Sequence, residues 1–301
     1  MPGTLITVAP TGAEHDKADV PNLPVTLDEL VETAVECERA GAAMIHVHIR
    51  DGDARPTLDL QRLQATVVAL RERTTLVVQL STGGAVTDPE DDRLRVLDAL
   101  PDSASCTMGT VNFGADVFLN RWEFIVELHQ RMRERHIVPE YEIFDVGHLW
   151  SLRRLLDEHG PPAGGHVHVD LVMGVPGGMP GDADTLVAAL RLLPAGATFS
   201  ATGIGRSSLP VMFAALSAGG HLRVGMEDTI SFARGQRVTG NAQLVERAAQ
   251  LATIAQRPPL PADEVRTLLG VVRPAGTAST DDPLARELLA PAELRPVKDP
   301  R

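Results

Sequence analysis

The sequence predicts an α/β fold, a (β/α)8 TIM barrel with a short C-terminal extension. Short apolar runs alternate with amphipathic stretches, and eight such pairs fill most of the first 257 of 301 residues. This order and this size are typical of a (β/α)8 barrel. The same alternation leaves an open, doubly wound sheet as the alternative fold.

Each element is assigned from the length and period of its apolar residues. The candidate strands are 3–8, 43–49, 75–81, 104–109, 138–144, 166–173, 197–202 and 221–225. The candidate helices are 27–40, 58–72, 89–99, 116–135, 147–159, 182–193, 206–218 and 240–256. We assign residues 1–257 to the barrel and residues 258–301, which are rich in proline, to the extension, with one short helix near 262–269.

Composition excludes several classes of protein. The net charge is −12 and the sequence pI is near 5.3, which disfavours binding to nucleic acid or to anionic membranes. No apolar run reaches the roughly 20 residues of a membrane-spanning helix. The N-terminus has neither a basic region nor a cleavage site of a signal peptide. We expect a cytoplasmic protein that binds neither nucleic acid nor membranes.

Two residue types that often carry catalysis are scarce. Cys37 and Cys106 show no metal-ligand spacing and no disulfide framework, which favours two core residues. Lysine occurs only at Lys17, in the first loop, and at Lys298, in the tail. Because Schiff-base aldolases and pyridoxal-phosphate enzymes need a lysine, carbanion chemistry here would depend on a metal ion.

A histidine pair ends the second candidate strand. His46 and His48 lie in the segment GAAMIHVHIRDGD, directly before Arg50 and Asp51. Alternate residues of a strand share a face, so both imidazoles can bind one cation. The C-terminal ends of barrel strands carry the chemistry. The pair is therefore a candidate metal site, although a pair of hydrogen-bonded core histidines would show the same pattern.

A second charged cluster ends the eighth strand, in the segment GGHLRVGMEDT. In a closed barrel the eighth strand adjoins the first, so Glu227 could reach a cation held by the histidines. Two histidines and one carboxylate form a common catalytic zinc site. Asp228 beside Arg223 would stay ionised, as a general base requires. Taken alone, the Glu-Asp pair would be a solvated turn, and the histidine pair makes the functional interpretation the stronger one.

Polar residues at other strand ends predict a polar pocket of acidic character. The third strand ends in Ser-Thr-Gly-Gly, and the fifth places two carboxylates on one face. Glycines permit close approach of a ligand, and buried acids are costly unless paired or used. The candidate substrate-binding residues are Glu14, Ser81, Thr82, Gly83, Ser105, Thr107 and Glu142.

A glycine-rich segment opens the helix after the seventh strand. Gly203, Gly205 and Arg206 could bind a phosphate at the helix N-terminus, a frequent anion site in barrels. A second histidine pair, His166 and His168, lies at the start of the sixth strand, because the apolar run continues to Met173. That end of a barrel serves stability, so we disfavour this pair as the metal site.

Together these segments resemble the β-keto acid cleavage enzymes, the family that contains 3-keto-5-aminohexanoate cleavage enzyme. The resemblance covers about residues 4–232. Its most specific parts are HVHIRD and RVGMED. The segments that carry it are, in order, TVAPTGAEH, GAAMIHVHIRD, QLSTGG, MGTVNFG, PEYEIFD, GVPGG, ATGIGR and GGHLRVGMEDT.

The resemblance implies a homotetrameric barrel with a catalytic divalent cation, typically Zn2+. It implies that His46, His48 and Glu227 bind the metal, and that Asp228, paired with Arg223, is the base. The family reaction joins a β-keto acid to acetyl-CoA and releases acetoacetate and a new acyl-CoA. Glu14 and Glu142 match positions that line the family's substrate pocket, where carboxylates suit a substrate with a cationic group.

Three alternatives remain at this stage. Amidohydrolase-like hydrolases also carry a His-x-His pair, but usually after the first strand and with further histidine ligands. A class II aldolase would cleave β-hydroxy acids without CoA. A non-catalytic barrel could retain the metal, although the full set of His46, His48, Arg223, Glu227 and Asp228 argues against this.

Overall fold

The computed structural model describes residues 3–272, and its centre is a closed barrel of eight parallel strands. Each strand pairs with its chain neighbours, and the last pairs with the first, so the sheet has no free edge. The predicted barrel is confirmed, and the open sheet is excluded. The strands are β1 (Ile6–Val8), β2 (Met44–Val47), β3 (Val77–Leu80), β4 (Ser103–Thr107), β5 (Val138–Ile143), β6 (His168–Met173), β7 (Thr198–Gly203) and β8 (His221–Val224).

Helices follow each strand and cover the outside of the barrel. Short 3-10 turns continue α3 over Val96–Ala99 and precede α7 over Gly205–Ser207. Within residues 3–272 the α-helices are α1 (Leu27–Ala40), α2 (Leu60–Arg73), α3 (Glu90–Arg95), α4 (Trp122–Glu134), α5 (Val146–His159), α6 (Ala183–Leu190), α7 (Ser208–Ser217), α8 (Asn241–Ile254) and α9 (Ala262–Leu269).

Capping residues at the two ends of α1 determine where this helix begins and where the chain leaves it for β2. The Thr26 side chain accepts from the Glu29 amide, and the Glu29 carboxylate accepts from the Thr26 amide, which together form a capping box. At the other end Gly41 has a φ of 113°, a conformation that favours glycine. The chain then turns directly into β2, which carries His46.

Alternation along the strands separates an apolar outer layer from a polar interior. On β2, Ile45 and Val47 belong to the large core that the strands share with the helices, while His46 between them is also buried. The bottom of the barrel is apolar, because Met44 and Val77 pack in one cluster with Leu269 of α9. Helix α9 therefore closes the N-terminal end and leaves the C-terminal end open.

Three hairpins follow barrel strands at the open end. They pair Ile49–Arg50 with Pro56–Thr57, Val111–Phe113 with Asp116–Phe118, and Ser231–Ala233 with Gln236–Arg237. The second hairpin corrects the prediction of a helix over 116–135, since α4 begins only at Trp122. Gly114, with a φ of 64°, makes the turn that the apolar periodicity of the segment does not reveal.

The ends of the described chain pack together beneath the barrel. The predicted strand 3–8 is regular only over Ile6–Val8, and Thr4 instead bridges to Pro259. The predicted short helix near 262–269 is present as α9. The rest of the predicted extension, residues 273–301, lies outside the described residues. No helix in the described part of the chain is long and apolar enough to cross a membrane.

Candidate active site and metal centre

The predicted histidine pair meets the predicted glutamate at the open end of the barrel. The Nε2 atoms of His46 and His48 lie 3.8 Å and 3.6 Å from Oε1 of Glu227. Three potential ligand atoms, one from each of these residues, all lie within 4.8 Å of one another. Within residues 3–272 this is the one cluster of histidine, cysteine and acidic side chains compact enough to hold a metal ion.

A tight turn after β8 brings Glu227 to the histidines. A Cβ atom on Gly225 would lie 1.8 Å from the carbonyl oxygen of Ala9, so only glycine fits this position. The amide of Glu227 then donates to the same Ala9 carbonyl, at 3.2 Å. Closure of β8 against β1 therefore positions the carboxylate beside β2.

The protonation states suit a divalent metal. Burial is the main cause that lowers the pKa of His46 to about 4 and also lowers that of His48, so both imidazoles are in the neutral form that metal binding requires. Burial alone would raise the pKa of Glu227, but Arg223 and the two histidines together lower it to about 2. Oε2 of Glu227 is buried without a hydrogen-bond partner, as expected of an atom left for a cation. Two imidazoles and one carboxylate fit zinc and similar transition metals.

Arg223 forms ion pairs with four carboxylates at the centre of the site. Its guanidinium donates to Asp228 through Nε at 3.3 Å and Nη2 at 3.0 Å, and to Oε1 of Glu227 through Nη2. Its Nη1 lies 3.4 Å from Glu142 and 3.9 Å from Asp170. One buried cation thus contacts three buried carboxylates and the half-buried Glu227.

These carboxylates differ in basicity. Burial raises the pKa of Asp228 to about 7, with Arg223 opposing the rise and Glu227 adding to it. Burial likewise raises the pKa of Glu142 to about 6, and Thr107 donates to its Oε2 at 2.7 Å. Burial raises the pKa of Asp170 well above its ordinary value. Asp228, beside the candidate metal ligand Glu227, is therefore a carboxylate poised to accept a proton near neutral pH.

The sequence model of one family, described as beta-keto acid cleavage enzyme, matches residues 4–271, nearly the whole described chain. The chain belongs to the β-keto acid cleavage enzyme family. The 3-keto-5-aminohexanoate cleavage enzyme of Acetoanaerobium sticklandii is 35% identical over 90% of this chain and 99% of its own.

Other proteins that resemble this β-keto acid cleavage enzyme carry different names. The 3-oxoadipate:acetyl-CoA acetyltransferase of Cupriavidus necator is 32% identical over 89% of this chain and 94% of its own. The 3-dehydrocarnitine:acetyl-CoA trimethylamine transferase of Rhizobium meliloti is 32% identical over 89% of this chain and 96% of its own. The apo structure of ObcA shares the fold, with a TM-score of 0.72 at 21% identity, over 85% of this chain and 66% of ObcA.

As a β-keto acid cleavage enzyme, the chain needs a cavity for two substrates, and one of about 820 Å³ opens above the charged cluster. Four predicted residues, Thr82, Ser105, Thr107 and Gly203, lie outside its lining. Ser105 instead accepts from the amide of Thr82, and Gly203 packs where a Cβ would lie 2.4 Å from the Ser207 carbonyl. The predicted residues that line the cavity are Glu14, His46, His48, Ser81, Gly83, Glu142, Gly205, Arg206, Arg223, Glu227 and Asp228.

The second histidine pair of this β-keto acid cleavage enzyme forms hydrogen bonds with hydroxyl groups of β7. His168 is the first residue of β6, and its two ring nitrogens contact Thr198 and Ser200 at 2.8 Å and 3.1 Å. His166 also contacts Thr198, at 2.7 Å. Neither belongs to the group of His46, His48 and Glu227 that could hold a metal ion.

One residue of the site escaped the sequence analysis as a participant. Gln79 of β3 places Oε1 2.5 Å from Nδ1 of His46, and its Nε2 donates to Ser103 Oγ at 3.1 Å. Its only sequence signal is a polar side chain inside an apolar strand, in register with His46 of the neighbouring strand.

Proposed function

We propose that this chain is a metal-dependent acyltransferase that condenses a β-keto acid with acetyl-CoA and yields acetoacetate and a new acyl-CoA. The observation that carries the proposal is the convergence of His46, His48 and Glu227 beside Asp228, which Arg223 holds in place. The names of the relatives, which are acetyl-CoA transferases and β-keto acid cleavage enzymes, support this reaction class.

We assign the metal position to a divalent transition metal, zinc in the first instance, with His46, His48 and Glu227 as its ligands. The neutral imidazoles and the unpartnered Oε2 atom of Glu227 support this assignment. Such an ion supplies electrophilic stabilisation of negative charge on carbonyl oxygens.

Asp228 acts as the general base. Its carboxylate removes a proton from C2 of the β-keto acid, and Arg223 keeps the carboxylate oriented through two hydrogen bonds. The C2 carbanion attacks the thioester carbonyl of acetyl-CoA and expels the CoA thiolate. The thiolate then adds to the original keto carbon, and the bond from that carbon to C2 breaks. Asp228 returns its proton to C2, which completes acetoacetate and leaves the new acyl-CoA.

The remaining predicted residues have supporting roles. Ser81 and Gly83 line the cavity and are placed to contact substrate, while Thr82 and Ser105 fix the loop behind them. Thr107 orients Glu142 through its hydroxyl. Acetyl-CoA would enter past Gly205 and Arg206, with Gly203 allowing the close packing of that loop.

We also propose a homotetramer. Phe213 on α7 and Ile254 on α8 are 55% and 74% exposed on the outside of the barrel, as subunit contacts would require. Light scattering at several protein concentrations would test it.

The decisive experiment replaces the base without touching the metal ligands. Metal-quantified protein is incubated with acetyl-CoA and a series of β-keto acids, and acetoacetate and acyl-CoA are followed by mass spectrometry. Asp228→Asn should retain the metal and lose roughly 10²–10⁴-fold in kcat. Unchanged turnover in this variant would remove Asp228 as the base. If metal-loaded parent protein forms no acyl-CoA from any substrate, the proposed reaction is wrong.

A further inference from the structure

An apolar tier lies directly above the charged residues on the same strands. Phe144 follows Glu142 by two residues at the end of β5, and Val172 follows Asp170 by two residues on β6. Because alternate residues share a face, each apolar side chain lies one step nearer the barrel mouth than its acidic neighbour. Both line the cavity.

Three phenylalanines form most of this tier. The rings of Phe113, Phe118 and Phe144 pack edge to face, with centroids 6.1 to 6.4 Å apart. We call these three residues the phenylalanine wall. Apolar side chains that line the cavity extend it on the neighbouring strand ends and loops, namely Val86, Val172, Val175 and Ile204.

Contacts around the hairpin hold the wall in place. The amide of Gly114 donates to the Pro176 carbonyl at 2.9 Å, and the amide of Asn120 donates to Thr110 Oγ1 at 2.9 Å. Gly177 packs so closely that a Cβ atom there would lie 2.3 Å from the carbonyl oxygen of Asn112. The wall is therefore formed before a ligand arrives, which lowers the cost of binding an apolar group.

The wall adjoins the polar part of the site. A Cβ atom built on Gly83 would lie 3.2 Å from Cζ of Phe118 and 3.3 Å from Oγ of Ser81. The ring of Phe118 thus lies against the loop after β3, beside the serine placed to contact substrate. A β-keto acid bound at the metal ligands has one variable group, the substituent on its keto carbon, and the wall is an apolar surface of the same cavity against which it can pack.

The carboxylates near the wall offer little to a cationic substituent. Glu142, the acid of this region, accepts from Thr107 through Oε2 and from Arg223 through Oε1 at 3.4 Å, so both of its oxygens are already engaged. The guanidinium of Arg93 lies over the ring of Phe118, 4.8 Å from its centroid, so a cation already occupies one face of that ring. Glu14 and Asp116 also line the cavity, but both are exposed at its rim, where water screens them.

We propose that the phenylalanine wall selects β-keto acids whose keto-side substituent is neutral and apolar, a branched alkyl or an aryl group. This inference rests on the proposed function and assigns specificity to Phe113, Phe118 and Phe144. Burial against the wall favours an apolar group, while a cation would lose its hydration without gaining a free carboxylate.

Two substrates of the same shape and different charge provide the test. In 3-oxo-5,5-dimethylhexanoate and 3-oxo-4-(trimethylammonio)butanoate, a tert-butyl and a trimethylammonium group occupy equivalent positions. The neutral compound should show a kcat/KM roughly tenfold or more above that of the cation, a ratio within the range that apolar pockets achieve. Equal values, or a preference for the cation, would overturn the inference. The small 3-oxopentanoate serves as reference, since failure to turn over any of the three contradicts the proposed function instead.

Substitutions on the hairpin that carries Phe113 and Phe118 test whether the phenylalanine wall sets the substrate preference. Phe113→Glu should place an unpaired carboxylate in the wall and shift the kcat/KM ratio of the pair toward the cation by tenfold or more. Val117→Glu is the matched control, because Val117 is 52% exposed on the same hairpin and lies outside the cavity lining. It should keep the ratio of the parent protein. The same ratio in both variants would show that the wall does not set specificity.

Discussion

Gln79 fixes the tautomer and orientation of His46. Its Oε1 atom lies 2.5 Å from Nδ1 of the imidazole, while its Nε2 atom donates to Ser103 at 3.1 Å. With the amide oriented so that its nitrogen donates to Ser103, Oε1 accepts from the imidazole, which places the proton of His46 on Nδ1. The lone pair of Nε2 is thereby directed at the group formed with His48 and Glu227.

Gln79→Leu should weaken metal binding while preserving the barrel. Loss of such an orienting hydrogen bond typically lowers metal affinity about 10- to 100-fold. Competition with a chromophoric chelator measures this directly. Gln64→Leu is the matched control, because Gln64 of α2 donates only to the Asp98 carbonyl, away from the site. Equal affinity in the two variants would show that Gln79 does not orient the ligand.

His46→Ala should abolish stoichiometric metal binding. It removes one of the three proposed ligands, and the described residues contain no second group compact enough to hold a metal ion. His166→Ala, in the second histidine pair, should retain one metal per chain, because His166 only contacts Thr198. Elemental analysis after dialysis gives the metal content. Full occupancy in His46→Ala together with loss in His166→Ala would move the metal site to β6.

The sequence was sufficient to predict the barrel and the convergence of His46, His48 and Glu227 for one geometric reason. Parallel strands that close into a barrel bring all their C-terminal ends together, so residues 181 positions apart, His46 and Glu227, become neighbours. Local patterns then needed only to mark where each strand ends. The glycine at 225, which the Ala9 carbonyl crowds, makes the last of these turns possible.

Features that depend on packing between distant segments were not predictable. The sequence pattern predicts a helix over part of the Phe113–Phe118 hairpin, because Val117, Phe118 and Trp122 also suit a helical period. Gln79 gave no local sign of its bond to His46, since only the register of β2 against β3 pairs them. Ser105 was expected to face substrate, whereas the structure directs its hydroxyl to the Thr82 amide.

Arg206→Ala should raise the KM for acetyl-CoA with little change in kcat. Arg206 is exposed at the mouth of the cavity, where a guanidinium can attract the phosphates of CoA. An exposed charge pair contributes up to about 1 kcal/mol, so the expected rise is roughly two- to fivefold and should shrink as salt increases. Steady-state kinetics at two ionic strengths check it. Arg191 is an exposed arginine that directly follows α6, outside the cavity lining, and Arg191→Ala should leave the KM unchanged. A similar KM in the two variants would contradict the role of Arg206.

The bottom of the barrel should make stability depend on pH through His221. The amide of Leu5 donates to Nδ1 of His221 at 3.0 Å, which requires a neutral imidazole. Burial, followed by the charges of His168 and Arg257, lowers the pKa of His221 to about 3. In the unfolded chain the ordinary pKa is roughly 6.5, so the unfolded state binds the proton first as the pH falls. The stability that the neutral ring contributes is complete above that value and declines between about pH 6.5 and 3.

His221→Asn removes the titration and keeps an acceptor near the Leu5 amide. The free energy of unfolding of the parent protein should fall more steeply than that of the variant between pH 7 and 5, by at most roughly 1.4 kcal/mol per pH unit. Urea denaturation at each pH measures the difference. Near pH 7.5 the free energy of unfolding should change with pH by nearly the same amount in the two proteins, because His221 is neutral there in both the folded and the unfolded state. Parallel curves from pH 7.5 to 5 would mean that protonation of His221 does not drive the acid destabilisation of the barrel.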